Sequence, residues 1–215
     1  MSKLLSAAAK ERPAAAVIFI VRKVYERLRG RAMAAIMGWT KSYLGPGSKV
    51  LGTAAIEVGE GAYINRYAWI EAVHTFRGQE FKPAIKIGRG FAAADRLHIS
   101  CTHRVEIGND CLLGSGVYIS DHNHGIYNGL GQSAPTEPPS DRKLLPNGSV
   151  IIGSNVWVGD NVVIVGPVTI GDGAVIGANS VVTKDIPRDV IAAGAPVRVL
   201  KKFNPISGVW ERIAG

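Results

Sequence analysis

The chain has 215 residues, 47% of them hydrophobic, which is enough for one sizeable core and too little for two complete enzymatic domains. Its formal net charge of +8 favours anionic partners, without choosing among nucleic acid, acidic lipid and a phosphorylated cofactor. The cysteines Cys101 and Cys111, in a chain without a signal-peptide pattern, predict reduced thiols and a cytoplasmic location.

Residues 1–48 form the first predicted segment, which is rich in alanine and is expected to be helical. Apolar residues three or four positions apart predict an amphipathic helix here: Val17, Ile20, Val21, Val24 and Leu28. Its far end is basic, with Arg22, Lys23, Arg27, Arg29 and Arg31. Two interpretations stay open: the helix packs on the main domain or a neighbouring subunit, or it lies on an anionic surface as a peripheral protein of the inner membrane. The apolar run 14–21 has eight residues, whereas spanning a bilayer takes about 20.

From Val58 onward, aliphatic residues recur in runs with an interval of six positions, as at Ile107, Leu113 and Ile119. The residue that follows is repeatedly glycine or acidic, which suits a chain that turns a corner. A unit of six residues buries only one large side chain, so units must stack on each other. This periodicity predicts a parallel β-helix over 49–200, with three repeats in each coil.

Two stretches interrupt the repeats, namely Thr75–Lys86 and the loop 125–149. Four prolines in and near the second stretch predict that it contains no regular strand or helix. Because this protruding loop leaves the repeats directly after a pair of histidines, we expect it to cover a functional site. Residues 201–215 form a basic tail, predicted to be helical or extended.

The repeats resemble those of the hexapeptide-repeat acyltransferases. The segments Val156–Asp160, Ile170–Ala178, Val181–Pro187 and Ala192–Arg198 are similar to the end of the sugar O-acetyltransferases, including galactoside and maltose acetyltransferases. The resemblance implies an all-β solenoid, a left-handed parallel β-helix, with an N-terminal helical segment. It also implies a homotrimer with active sites between subunits, acetyl-CoA as co-substrate, no metal and no nucleic-acid partner.

The segment Tyr118–Gly125 carries two histidines and an aspartate in four positions. In the family a histidine acts as general base for direct acetyl transfer, and its place five positions after the aliphatic residue corresponds to His124. Related surface-polysaccharide acetyltransferases have Asp-x-x-His here, which Asp121 and His124 supply. His122 then either supports the site from behind the residues that touch the substrate or contacts the acceptor itself. Asp121 either orients an imidazole or a sugar hydroxyl, or is a corner residue bonded to its own backbone.

The resemblance also implies a coenzyme A groove. Trp157 matches the tryptophan beside the pantetheine arm, and the backbone N–H of Asp160 occupies the position that donates to the thioester oxygen. Further positions that line the cofactor correspond to Gly177, Ala178, Thr183, Lys184 and Ala195. Cations available for its phosphates are Lys184, Arg198, Lys201 and Lys202.

The sugar acceptor is expected beside the preceding coil, at Asp95, Arg96 and His98. The asparagine of galactoside enzymes is missing there, so the expected acceptor is a cell-surface polysaccharide or its precursor, such as an O-antigen or capsule unit. Two alternatives come from other classes. One is a γ-class carbonic anhydrase, since His98 and His103 have its five-residue interval and His124 follows, and the other is a non-catalytic scaffold.

Overall fold

The computed structural model describes Ala9 and residues 12 to 213, which are mostly β-strand with one N-terminal helix. The predicted amphipathic helix is present and is longer than expected, since α1 extends over Pro13–Ile36. A proline in its first turn suits a position whose backbone N–H has no helical partner. Within the described residues, no helix is both long and apolar enough to pass through a bilayer.

Helix α1 approaches the rest of the chain through its C-terminal half, where Gly30 and Ala34 are buried. A Cβ atom on Gly30 would lie 2.3 Å from the ring of Tyr43, so only glycine permits this close approach. About one turn before Gly30, Glu26 accepts a hydrogen bond from Arg66 at 3.0 Å. These contacts fix the helix against the beginning of the sheets.

Three sheets make up most of the molecule. The nine-stranded sheet contains Tyr43–Leu44, Tyr63–Ile64, Ala92–Ala93, Leu112–Leu113, Trp157–Val158, Val175–Ile176, Val190–Ala193, Arg198–Asn204 and Val209–Arg212. The six-stranded sheet contains Lys49–Leu51, Trp69–Ala72, His98–Cys101, Tyr118–Ser120, Val163–Val165 and Val181–Val182. The five-stranded sheet contains Ile56–Val58, Ala84–Ile87, Arg104–Ile107, Val150–Ile152 and Val168–Ile170.

The chain visits these three sheets in turn, and we call one such circuit a coil. Each strand pairs in parallel with the strand one coil later, so that Ile99 lies beside Ile119 and Ile119 beside Ile164. All three isoleucines are 0% exposed, which shows that the six-residue period marks the inward side chains. The core is a column of aliphatic residues between the three sheets.

The nine-stranded sheet extends beyond 49–200 at both ends. Tyr43–Leu44, inside the stretch assigned to the N-terminal segment, already pairs in parallel with Tyr63–Ile64. At the other end, Arg198–Asn204 and Val209–Arg212 add antiparallel strands, so the described part of the tail is extended and not helical. These strands follow no six-residue pattern, which is why the repeats did not reveal them.

Two hairpins project where the repeats are interrupted. Thr75–Phe76 pairs with Gln79–Glu80, and His122–His124 pairs with Leu144–Pro146, both in antiparallel register. The prediction that the loop 125–149 contains no regular strand is therefore wrong near its end. Pro146 is tolerated there because it lies at the end of an edge strand. A short 3₁₀ helix, Thr53–Ala55, completes the regular elements of the described chain.

Candidate active site

Asp121 is a fully buried carboxylate at the corner that follows the six-stranded sheet. Its Oδ1 accepts from the backbone N–H of Thr102 at 2.9 Å, and its Oδ2 accepts from those of His103 at 2.7 Å and Arg104 at 2.8 Å. The hydroxyl of Thr102 and the thiol of Cys101 also donate to it. Asp121 thus binds the backbone of the preceding coil and does not cap its own.

These donors determine the charge of Asp121. Burial alone would raise the pKa of this carboxyl group, but the hydrogen bonds from His122 and from the backbone of Thr102 and His103 outweigh burial and lower it to about 2. Burial and the same carboxylate raise the pKa of the neighbouring Cys101 thiol. The corner therefore holds an anion beside an inert thiol.

His122 is the imidazole that Asp121 contacts. Its Nδ1 lies 2.9 Å from Oδ1 of Asp121, and the His122 side chain is 8% exposed. The hydroxyl of Ser120 donates to the backbone carbonyl of His122 at 2.9 Å, and this bond holds the backbone of His122 in place. The sequence left open whether Asp121 orients an imidazole, and in the structure the carboxylate contacts that of the adjacent His122.

His124 lies two residues farther along and is exposed. Its ring meets the ring of Phe76 edge to face, with centroids 5.4 Å apart, and its backbone carbonyl accepts from the hydroxyl of Tyr127 at 2.6 Å. Among the described residues, no hydrogen bond engages a ring nitrogen of His124. Both of its nitrogens are accordingly available to a ligand.

The two projecting hairpins are joined at Leu144, which pairs with His124. The side-chain amide of Gln79 donates to the carbonyl of Leu144 at 3.0 Å, and its oxygen accepts from the Leu144 N–H at 2.8 Å. Arg77 forms an ion pair with Asp141 at 2.7 Å. No sequence pattern indicated this contact, because its partners lie outside the repeats.

An aromatic row runs along the outer face of the six-stranded sheet. His98 stacks on Trp69 with ring centroids 4.7 Å apart and meets Tyr118 edge to face at 5.0 Å. Burial lowers the pKa of His98, the carboxylate of Glu71 opposes this, and the neighbouring His122 lowers it further. Of the three residues expected to contact the acceptor, His98 thus lies near His122.

The other two expected acceptor residues, Asp95 and Arg96, lie at a different corner. The Asp95 carboxylate accepts from the backbone N–H of Arg66 at 3.2 Å. Corner residues of other coils cap the preceding coil in the same way: Asn109, Asp160, Asp172 and Asp185. Asp95 is therefore engaged as one of a series of structural caps.

Comparisons with known proteins agree with the repeats seen in the structure. A family model described as bacterial transferase hexapeptide (six repeats) matches 149–184, and one for the hexapeptide repeat of succinyl-transferase matches 104–126. The chain is 38% identical over 143 residues to galactoside O-acetyltransferase of Escherichia coli K12, covering 66% of this chain and 64% of that protein. A solved galactoside acetyltransferase in complex with coenzyme A is 26% identical, with 89% of each chain covered and a TM-score of 0.50. These matches show that the chain carries hexapeptide repeats of the bacterial transferase type over 104–126 and 149–184.

A second relative is WbbJ of Escherichia coli K12, provisionally named a lipopolysaccharide biosynthesis O-acetyl transferase. It is 40% identical over 118 residues, which cover 55% of this chain and 60% of WbbJ. The matched region thus spans less than two thirds of either curated relative.

Trp157 is 53% exposed on the outer face of the nine-stranded sheet. It lies beside Leu112, which is 49% exposed, and beside Val175 one coil later. The side chain of Asp160 caps Ser115 at 2.6 Å, and no hydrogen bond within the described residues uses its backbone N–H. The exposed apolar row that includes Trp157 thus lies close to the corner at which Asp160 offers a backbone N–H donor.

The remaining residues expected at the cofactor do not all lie together. Gly177 and Ala178 stack one coil beyond Asp160, since a Cβ on Gly159 would lie 2.6 Å from the Ala178 nitrogen. Thr183 and Lys184 are exposed after the last strand of the six-stranded sheet, at the corner that also holds His122. Ala195, Arg198, Lys201 and Lys202 lie in and before the C-terminal antiparallel strands.

Two corners of the coil therefore carry the candidate groups. The Asp160 corner, with Gly114, Asp160 and Ala178, follows the nine-stranded sheet, and the His corner, with His103, Asp121 and His122, follows the six-stranded sheet. Within one chain the six-stranded sheet separates them. Among the described residues of this chain, no three His, Cys, Asp or Glu side chains are arranged to hold a metal ion.

Proposed function

We propose that this protein transfers an acetyl group from acetyl-CoA to a sugar hydroxyl of a cell-surface polysaccharide or its precursor. The observation that carries the proposal is the exposed His124, which lies next to the Asp121–His122 pair and within one of two joined hairpins. The names of the relatives support the chemistry, since one is a galactoside O-acetyltransferase and the other is named for lipopolysaccharide biosynthesis. We also propose that the coiled sheets form a left-handed parallel β-helix.

His124 acts as the general base in this proposal. A neutral imidazole accepts the proton of the sugar hydroxyl while the hydroxyl oxygen attacks the thioester carbonyl. The C–S bond then breaks, the acetyl group stays on the sugar, and the proton held by His124 passes to the departing thiolate. The buried pair of Asp121 and His122 holds the strand rigid, and His122 faces the acceptor.

The donor is proposed to lie along Trp157, with its pantetheine arm against the apolar row that includes Leu112. The backbone N–H of Asp160 would donate to the thioester oxygen as negative charge develops there. Further contacts fall to Gly177, Ala178, Thr183 and Ala195, and cations for the phosphates to Lys184, Arg198, Lys201 and Lys202.

A homotrimer completes the site in this proposal. Since the six-stranded sheet separates the His corner from the Asp160 corner within one chain, the two corners can face each other only across an interface between chains. Each of three clefts would then combine the base of one chain with the donor groove of its neighbour.

One observation favours His122 as the base instead. Its Nδ1 is held by a carboxylate, as is common for catalytic histidines, which leaves Nε2 for the substrate. Its low exposure and the open position of His124 argue for the first assignment. The single variants His122→Ala and His124→Ala separate the two.

The proposed activity is tested by incubating the protein with acetyl-CoA and a panel of bacterial glycans. Mass spectrometry should detect a gain of one acetyl group on one glycan class, accompanied by release of free coenzyme A thiol. Thiol release without any acetylated glycan would overturn the choice of acceptor. Absence of both, with no binding of coenzyme A, would favour a non-catalytic scaffold.

A further inference from the structure

Helix α1 exposes an apolar stripe along its first four turns. Val17, Val21, Val24 and Leu28 follow one another at intervals of four, three and four residues, and they are 62%, 63%, 43% and 62% exposed. Ile18 and Tyr25 widen the stripe and are 69% and 64% exposed. A continuous apolar surface that faces water is unfavourable unless another apolar phase covers it.

Most of the stripe points away from the rest of the chain, and its members Val24 and Leu28 also border a cavity beside the helix. The residues that are buried or half-buried on α1 include Phe19, Lys23, Glu26 and Gly30, each offset by two positions from a member of the stripe. Two positions correspond to about 200° around a helix, which is the opposite side. The core of this chain therefore cannot cover the stripe.

Arginines border the stripe on both sides. At about 100° per residue, Arg22 and Arg29 lie along one edge, and Arg27 and Arg31 lie along the other. All four are exposed, and among the described residues only Arg22 has an acidic partner, Glu26 at 2.9 Å. Long arginine side chains at the edges of an apolar stripe can reach outward to anionic groups while the stripe is buried.

A cavity of about 460 Å³ opens beside the edge formed by Arg27 and Arg31, between α1 and the nine-stranded sheet. Its lining includes Lys23, Arg66 and the ring of Tyr63. Four cations against the single carboxylate of Glu26 give this cavity a positive charge. It can accept a negatively charged group from the same side as the stripe.

We propose that α1 lies in the plane of an anionic lipid surface, with the stripe from Val17 to Leu28 among the acyl chains and the bordering arginines at the phosphates. An amphipathic helix of this composition is the usual form of an interfacial anchor. A second copy of the chain fits less well, because pairing two such helices through their stripes would set arginine edge against arginine edge. The inference does not depend on the proposed acetyl transfer.

The test is sedimentation of the full-length protein with vesicles, in the absence of acetyl-CoA. Vesicles of phosphatidylcholine alone are compared with vesicles of phosphatidylcholine and phosphatidylglycerol. The stripe variant is Val21→Gln with Leu28→Gln, and the border variant is Arg29→Gln with Arg31→Gln. Glutamine is used because it preserves helix propensity. Matched controls are Leu130→Gln with Ile206→Gln, which are 99% and 96% exposed, and Lys82→Gln with Arg212→Gln.

The wild-type protein should bind the vesicles with phosphatidylglycerol and release them as salt is raised. Losing two cations should weaken partitioning about 30-fold, at about fivefold for each cation, and losing two apolar side chains should weaken it at least about 10-fold. Both control pairs should bind like the wild type. Equal binding by all variants, or none by the wild type, would overturn the proposal. A smaller molar mass of the stripe variant in light scattering would also overturn it, since a second copy would then be the occupant.

Discussion

Replacing Asp121 with Asn should destabilise the fold strongly, although the two side chains have nearly the same shape. One oxygen of Asp121 accepts from Thr102 and His122, and the other from the N–H groups of His103 and Arg104. An amide places an NH₂ group against donors in either orientation. With one or two buried backbone N–H groups left unsatisfied, at about 1–3 kcal/mol each, and an ionic hydrogen bond lost, we expect a cost of about 4 kcal/mol.

Urea unfolding at fixed protein concentration, followed by tryptophan fluorescence, measures this cost at neutral pH. Asp172→Asn is the matched control, because Asp172 is exposed and accepts only one backbone N–H, from Ser154 at 2.7 Å, through an oxygen that asparagine keeps. The control should lie within about 0.5 kcal/mol of the wild type. Equal stability of the two variants would refute the view that Asp121 organises this corner.

The same carboxylate predicts how stability depends on pH. Its pKa is lowered from the usual 3.8 to about 2, which corresponds to about 2 kcal/mol in favour of the folded, ionised form. Because the folded-state pKa is depressed, this contribution is complete above about pH 4 and is lost as the pH falls towards 2. The stability difference between wild type and Asp121→Asn should therefore shrink over that interval. A difference that stayed constant from pH 6 to pH 2 would contradict the assigned contacts.

Three further predictions concern the donor, the hairpins and the assembly. Trp157→Ala should raise the KM for acetyl-CoA about 10-fold in steady-state assays with little change in kcat, because the ring is proposed to contact only the pantetheine arm; a fall in kcat alone would contradict this. Gln79→Ala should uncouple the two hairpins by removing both hydrogen bonds to Leu144, which is measurable as faster amide exchange near 144–146, whereas unchanged exchange would show that the bonds do not hold them. Light scattering at micromolar concentration should give the mass of a trimer, and a monomer would contradict the shared cleft.

The repeats made the coiled sheets predictable, because each six-residue unit supplies one inward aliphatic residue and the stacking of such units leaves little choice of register. Ile99 and Ile119 pair as the period requires. The C-terminal strands after Arg198 were not predictable in this way, since antiparallel strands at the end of a sheet need no repeat. The same holds for Tyr43–Leu44, which begins the sheet before the pattern becomes regular.

The candidate site was only partly predictable from sequence. The crowding of Asp121, His122 and His124 indicated the segment that contains the buried carboxylate–imidazole pair. A spacing of three residues did not reveal which histidine the carboxylate contacts. That contact depends on a corner in which Asp121 turns inward to the backbone of Thr102–Arg104, and this backbone belongs to another coil. The contact of Gln79 with Leu144 joins positions 65 residues apart and has no periodic signal.

The most direct test of the proposed chemistry is the rate of acetyl transfer by His124→Ala and His122→Ala with saturating acetyl-CoA. Loss of the base should lower kcat of His124→Ala by about 100-fold to 10,000-fold while its affinity for coenzyme A stays near that of the wild type. His122→Ala should lose less and should act mainly on the KM for the acceptor. An inactive His122→Ala beside an active His124→Ala would assign the base to the imidazole held by Asp121. Near-normal turnover by both variants would contradict acetyl transfer at this site.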